Sequence, residues 1–432
     1  MRVALDTLGC KLNQAETESL AGQFSQSGFE LVSPDDVADI YVANTCTVTH
    51  VADRKSRHWL RLARRRNPQA LIVATGCYAQ RSRQELTQLA DLVVDNTEKE
   101  HLVEIVQGLR LEGRGLGEGG TKQSQISATA RTRALTKIQD GCHGLCTYCI
   151  VPKVRPHEYS LPVSRIIDEV KQKAALGYKE VVLTGTKVGS YKDAVLSASE
   201  GFSANLTDLL RRILNDTDIE RLRLSSLQPS EISSELLALW QGERLCRHFH
   251  LALQSGSEAV LQRMKRSYSL DEYQRALNSI KEAIPEVAIT TDIMVGFPGE
   301  SDEEFEQSHS FYQQAGFANI HVFPFSPRPE TAAARMPKQI KSEVKEKRKQ
   351  RMLELSQSCR RRFCEQLLGQ AIPVLWEKET RPNSGIYSGL TNNYIRVFAH
   401  SERPLSNVIA PVKLVELHDQ GIWGEIVNEN PG

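Results

Sequence analysis

Three cysteines stand close together in this 432-residue chain: Cys142, Cys146 and Cys149. Thiolates so near in sequence can share one loop and hold three irons of a four-iron cluster, leaving the fourth iron open to an outside ligand. The amino and carboxylate groups of S-adenosylmethionine suit such an open iron. An electron passed into the sulfonium would break its C–S bond and leave a 5′-deoxyadenosyl radical. Tyr148, directly before the third cysteine, offers an aromatic face to the adenine. Two blander readings compete, a zinc site and three unrelated thiols. Zinc sites usually show paired C-x2-C motifs or a Cys/His quartet. His143 is an awkward fourth ligand because it adjoins Cys142. The spacing, and the βα character of the chain downstream of the triplet, favour the cluster.

Cys10, Cys46 and Cys77 look scattered, yet each ends a predicted strand, VALDTLGC, YVANTC and IVATGC. In an open parallel sheet, strand ends of this kind line one edge, where ligands bind. Gly9 and Gly76 precede two of the cysteines and permit close backbone approach. A second three-thiolate cluster and three buried structural cysteines both remain open on these residues alone. Cys246, Cys359 and Cys364 have no such placement and read as structural. Further strand-end turns carry Gly185-Thr186, Gln254-Ser255-Gly256 and Gly296-Phe297-Pro298-Gly299, and Asp292 lies within a strand. Tyr148, Gly185, Thr186, Gln254 and Asp292 are therefore candidate contacts for S-adenosylmethionine, although any one such turn is more often only a turn.

Positioning these residues requires an α/β chain in several parts. Residues 1–107 alternate short apolar runs, VALDTLG, DIYVANT, LIVATG and DLVVDN, with helical patterns, as an open parallel sheet covered by helices does. Residues 108–132, rich in Gly, Ser, Thr and charge, read as a linker. Residues 133–364 resume the alternation as a full or partial (β/α) barrel, with chemistry at the strand C-termini, and end in a basic helix. Residues 365–432 change to short strands bounded by Gly, Pro and Asn, IPVLWEK, YSGLTNNYIRVFAH, VIAPVKLVELH and GIWGEIV, a small all-β barrel or sandwich. Hydrophobic residues make up 40% and charged residues 25%, as in ordinary globular proteins. No apolar run approaches the ~20 residues of a membrane span, and the N-terminus lacks a secretory signal. A cytoplasmic protein with reduced cysteines is expected. The net charge of +1 hides two basic stretches, Arg54–Arg66 and Lys338–Arg362. Each is either a solvated helix face or a phosphate-binding surface.

Taken together, these residues resemble the radical S-adenosylmethionine methylthiotransferases over nearly the whole chain. Cys10, Cys46 and Cys77 match that family's amino-terminal methylthiotransferase domain, and Cys142, Cys146 and Cys149 its radical motif. Gly389-Leu390-Thr391-Asn392-Asn393-Tyr394 looks like part of a TRAM domain, a β-barrel associated with RNA binding. Thr7-Leu8-Gly9-Cys10-Lys11-Leu12-Asn13-Gln14 looks like the branch that modifies N6-threonylcarbamoyladenosine in transfer RNA. The isopentenyladenosine branch tends to place Gln and Met after the cysteine, and the ribosomal-protein branch Pro-Lys-Asn. His321–Ser326 and Arg223–Ser226 also fit the first branch. One departure stands out. The family usually shows Arg-Gly and then Arg-Ser after Cys-Ile-Val-Pro. Here Arg155 is kept, Pro156 replaces the Gly, and Glu158-Tyr159-Ser160 replaces the second Arg.

The resemblance implies two 4Fe–4S clusters, one on each cysteine set, and S-adenosylmethionine as both methyl donor and radical source. It implies that C2 of the adenosine beside the anticodon gains a methylthio group, with the anticodon stem-loop of tRNA as partner. It also implies an electron donor and a sulfur source, which the sequence does not identify. Anticodon-loop bases are single-stranded and can be splayed into a pocket, with basic helices and the β-barrel holding phosphates. Tyr387, Tyr394 and Trp423 are candidates for base stacking, with core packing the commoner role for any one of them. Methylthiolation of isopentenyladenosine or of a ribosomal protein is the rival within the class. A non-catalytic iron–sulfur protein that binds RNA and senses redox state is the rival outside it, and the second cysteine set and strand-end turns speak against that reading.

Overall fold

The computed structural model describes residues 1–111, 132–193 and 203–427. Most of the segment read as a linker, 112–131, lies outside the described residues. All six residues of strand Ile40–Thr45 are buried, which requires cover on both sheet faces. The strand sits at the centre of a five-stranded parallel sheet. The order is Glu30–Val32, Arg2–Thr7, Ile40–Thr45, Leu71–Gly76, Leu92–Val93. Side chains alternate between the faces. Val3, Ile40, Val42 and Val73 pack against Leu20, Phe24 and Leu102 from helices Lys11–Gln26 and Leu102–Leu111. Ala4, Tyr41, Ala43 and Ile72 pack against Trp59, Leu60 and Ala63 of helix His50–Arg66. The three-residue strand Glu30–Val32 is absent from the sequence reading, being too short to show a period.

The central unit has the expected parallel strands in two sheets. The first runs Arg221–Leu224, Glu180–Thr184, Arg133–Lys137. The second runs Ser226–Leu227, His248–Leu251, Ala288–Val295, Asn319–Pro324. Ser225 joins the two, giving an open, partial (β/α) barrel rather than a closed one. Its helices begin where short polar side chains can satisfy the free first-turn amides: Asn205, Ser269 and Ser301 each close a capping box.

Helix Ser342–Leu367 ties this unit to the last. Its Met352, Leu355 and Cys359 enter the central core, and its Cys364 and Leu367 enter the core of the C-terminal barrel. That barrel is closed, in the order Ala371–Glu379, Ile386–Thr391, Arg396–His400, Gly421–Ile426, Ile409–His418, and is a TRAM-like module. The run YSGLTNNYIRVFAH, read as one strand candidate, is two strands turned at Asn392–Tyr394, with Tyr394 at φ 69°. The barrel docks on the central unit through Arg221, which donates to the Leu390 carbonyl at 3.0 Å, and through the Arg133–Glu377 ion pair at 2.8 Å. Among the described residues no helix is long and apolar enough to cross a membrane.

Candidate active site

Cys10, Cys46 and Cys77 follow three adjacent strands of the amino-terminal sheet, in which Thr7 pairs with Asn44 and Thr45 with Gly76. Strand pairing therefore gathers cysteines that are distant in sequence. The backbone there admits no side chain. Gly76 has φ +96°, and a Cβ on it would stand 2.4 Å from the Thr45 carbonyl oxygen. A Cβ on Gly9 would stand 3.0 Å from that of Cys46. Burial pushes the Cys46 thiol up to about 12.

Cys142, Cys146 and Cys149 occupy the loop between two short antiparallel strands, Gln139–Asp140 and Tyr159–Ser160. Gly141, at φ +75°, lets the loop pass the His157 carbonyl, 2.0 Å from where a Cβ would lie. Thr147 anchors the loop: its amide donates to the Met264 carbonyl at 3.0 Å, and its own carbonyl accepts from Ala333 at 2.8 Å. Tyr148 packs against Val260, Met264, Phe297 and Phe325. The departing residues brace the same loop. Glu158 accepts from the His143 amide at 3.1 Å, the Pro156 carbonyl lies 3.0 Å from His143 Nε2, and Tyr159 accepts from Lys137 at 3.0 Å.

The donor sets fit iron–sulfur chemistry. Gly144 N–H lies 3.2 Å from Cys142 Sγ, Arg266 Nη1 lies 3.4 Å from Cys146 Sγ, and Arg155 Nε lies 3.4 Å from Cys77 Sγ. N–H donors aimed at sulfur favour thiolate and tune a cluster. Burial pushes the Cys149 thiol to about 12, so ionisation there calls for the positive charge of bound iron. Among the described residues no three His, Cys, Asp or Glu side chains converge on one ion. A cluster does not require that, since each thiolate binds its own iron.

Between the two cysteine sets lies a buried ionic network. Arg155 donates to both Glu16 oxygens at 2.8 and 2.9 Å, to Asp140 at 2.7 Å and to Asn13 at 3.2 Å. Lys99 pairs with Glu16 at 2.7 Å, and Lys137 with Asp140 at 3.0 Å. Burial alone would raise the Glu16 carboxyl, but Lys99, Arg155 and Lys137 outweigh it and hold it well below the usual carboxylate range. A second brace joins Arg328 to Asp53 at 2.5 Å and to Thr47, beside Cys46, at 3.1 Å. Sequence reasoning missed Glu16, Lys99, Asp140, Arg266 and Arg328. One signal was available: Glu16 falls between Leu12 and Leu20 on the apolar stripe of its helix, where a charge needs a buried partner.

The strand-end candidates gather near the radical-motif loop. Gly185 abuts Gln139, whose carbonyl would lie 2.8 Å from an added Cβ, and Thr186 Oγ1 lies 3.4 Å from Asp140. Gln254, at φ 77°, exchanges backbone hydrogen bonds with Asp292 and Met294. The Asp292 carboxylate lies 3.1 Å from His250 Nε2. Arg266 links this region to the loop, reaching Tyr148 Oη at 3.3 Å and Tyr268 Oη at 2.9 Å. Cys246 and Cys359 are buried in the central unit, and Cys364 in the barrel.

Of the stacking candidates, Tyr387 lies in the barrel core, and Tyr394 stacks on His248 of the central unit at 4.6 Å. Four of the ten cations of the second basic stretch are in ion pairs among the described residues: Arg348 with Glu300 and Asp302, Lys349 with Glu346, Arg351 with Glu306, and Arg361 with Glu365. In the first stretch, Arg54, Lys55, Arg61 and Arg65 are exposed, with no carboxylate partner among the described residues.

Comparison with known proteins agrees with this geometry. A profile described as an uncharacterized protein family, UPF0004, matches residues 2–95, and that of the Radical SAM superfamily matches residues 136–312. The threonylcarbamoyladenosine tRNA methylthiotransferase MtaB of Aquifex aeolicus is 40% identical over 92% of this chain and 96% of its own. The MtaB of Bacillus subtilis is 36% identical over 99% and 97%. The tRNA-2-methylthio-N(6)-dimethylallyladenosine synthase of Syntrophotalea carbinolica is 31% identical over 98% and 99%. Among solved structures, the radical S-adenosylmethionine methyltransferase TsrM from Kitasatospora setae, with cobalamin and a 4Fe–4S cluster bound, shares the fold. It aligns with a TM-score of 0.55 at 14% identity, covering 77% of each chain. With relatives of such identity matched along almost their entire length, the chain belongs to the radical S-adenosylmethionine tRNA methylthiotransferases.

Proposed function

We propose that this protein adds a methylthio group to C2 of N6-threonylcarbamoyladenosine beside the anticodon of tRNA. The observation that carries the reading is Arg155: it leaves the radical-motif loop, donates to Cys77 and bonds Glu16 and Asp140. Its reach from the segment after Cys149 to Cys77 supports a common site for the two three-cysteine sets, as sulfur transfer driven by a radical requires. Cys142, Cys146 and Cys149 would hold one 4Fe–4S cluster, and Cys10, Cys46 and Cys77 a second. Bound there, the clusters supply the electron that cleaves S-adenosylmethionine and the sulfur that is methylated and transferred, with reductant and sulfur coming from outside the chain.

The chain's own residues position and shield. Tyr148 and its apolar neighbours present a face for the adenine of S-adenosylmethionine, and Gly185, Thr186, Gln254 and Asp292 line the strand ends beside it. Arg266 holds Tyr148 and Cys146 in register. Leu145, 78% exposed, stands on the radical-motif loop, while Val48, Val51 and Phe323, about half exposed, flank the other loops, and all four offer apolar surface to an unstacked base. Arg54, Lys55, Arg61 and Arg65 offer charge to phosphates. The threonylcarbamoyl substrate is favoured by Thr7–Gln14 and by the higher identity to the MtaB relatives. The dimethylallyl substrate is the second reading, because relatives with that name align equally fully. Anaerobic protein loaded with iron and sulfide, given reductant, S-adenosylmethionine and either stem-loop, separates the two. The proposal expects 5′-deoxyadenosine together with the 2-methylthio product from the threonylcarbamoyl stem-loop. Product from the dimethylallyl stem-loop alone contradicts it.

A further inference from the structure

Lys11 follows Cys10 directly and opens the Lys11–Gln26 helix. Its ammonium lies 5.6 Å from the centre of the Tyr394 ring, where all three units of the chain meet. Arg223 and Arg133 lie over the same ring at 4.8 and 5.8 Å, and His248 stacks on it at 4.6 Å. The two guanidiniums are neutralised: Arg223 binds Glu180 at 2.7 and 3.1 Å, and Arg133 binds Glu377 at 2.8 Å. Lys11 is different. Among the described residues it has no carboxylate within ion-pair distance and no hydrogen-bond acceptor. A half-buried ammonium in cationic company is costly unless an anion joins it. Lys11 is also near enough to His248 and His321 to bear on their charge. Through Tyr394 it lies beside His248 of the central unit as well as at the Cys10 edge.

We infer that Lys11 binds the free carboxylate of the substrate's threonyl group and so selects that nucleoside over one with an apolar N6 substituent. This rests on the function proposed above. Threonine joined to the carbamoyl group through its nitrogen keeps its carboxylate, whereas a dimethylallyl group has none. C2 and N6 share one edge of the adenine ring, flanking N1. A base presenting C2 to the Cys10, Cys46 and Cys77 site therefore carries its N6 substituent close by, and Lys11 is the residue next to Cys10. An ammonium and carboxylate brought together away from bulk water form a charge-assisted hydrogen bond. Of the three cations over the Tyr394 ring, Lys11 is the one without a carboxylate partner among the described residues.

S-adenosylmethionine also carries a carboxylate, so the test must separate the two sources. A labelled anticodon stem-loop bearing the threonylcarbamoyl acid, and its methyl ester, are titrated by fluorescence anisotropy against the cluster-loaded full chain without S-adenosylmethionine. The acid is expected to bind about tenfold tighter than the ester, in line with one charge-assisted contact. Lys11→Gln should erase that preference and Lys11→Arg should keep part of it. Equal affinities of the unaltered protein for acid and ester overturn the inference, even if no Lys11 variant folds. So does a Lys11→Gln protein that keeps the preference, or one that instead loses affinity for S-adenosylmethionine in equilibrium dialysis. The functional reading fails separately, when the unaltered protein makes no 2-methylthio product from the acid stem-loop.

Discussion

Arg155 bonds Glu16, Asp140, Asn13 and Cys77 at once and is itself buried. Truncating one partner of such a network leaves buried charge uncompensated, which typically costs about 3–5 kcal/mol. Arg155→Met should lower unfolding stability by roughly that amount, read as a fall in the urea midpoint, and Arg155→Lys should lose less. The cysteines divide differently. Iron content after anaerobic loading should fall by about half in Cys77→Ala and in Cys142→Ala, since each would remove a ligand from one of the two proposed clusters. It should be unchanged in Cys246→Ala, whose thiol faces Glu180 at 3.8 Å. Residues differ in how plainly the sequence shows them. The radical triplet shows in its spacing, and Cys10, Cys46 and Cys77 show once strands are drawn. Arg266 meets Cys146 across 120 residues, and no local pattern announces a contact made only by the curling of a barrel.

Strands and helices were legible where an apolar period repeated. Four of the five amino-terminal strands and the βα repeat follow from it, whereas Glu30–Val32 and the split at Asn392–Tyr394 are too short to register. Helix Ser342–Leu367 shows the opposite limit. Its basic composition suggests a phosphate surface, yet Arg348 is buried against Glu300 and Asp302, and Lys349, Arg351 and Arg361 are held in ion pairs. Charge counts do not reveal which side of a helix meets its partner. The helix's fixed contribution is packing, so Met352→Ala should cost about 2–5 kcal/mol, as buried truncations do, measured by thermal or denaturant unfolding. On strand His248–Leu251, burial, with Arg223 and Lys11 adding to it, holds His248 well below the usual histidine range. The folded state then binds fewer protons than the unfolded one. Stability is full above about pH 6.5 and falls as the pH drops below it. Between about pH 7 and 5.5 the melting temperature should fall, and His248→Gln should flatten that slope.

At the scale of the whole molecule, the amino-terminal sheet, the partial barrel and the small closed barrel are braced against one another at Arg155, Arg328 and Tyr394. Their order was legible from three changes in sequence pattern, but the contacts that lock them were not, because each brings together residues far apart in the chain. RNA affinity should depend on salt through Arg54, Lys55, Arg61 and Arg65. Replacing all four with Ser should flatten the plot of log affinity against log salt by about 0.7–0.9 for each phosphate no longer neutralised, read by filter binding of tRNA across a salt series. What this assembly makes is read by mass spectrometry of tRNA nucleosides from cells with and without the protein. Cells without it should lose 2-methylthio-N6-threonylcarbamoyladenosine and accumulate its unmethylthiolated precursor. Unchanged levels in cells with no second enzyme for that nucleoside, or loss of the dimethylallyl counterpart instead, would contradict the proposed function.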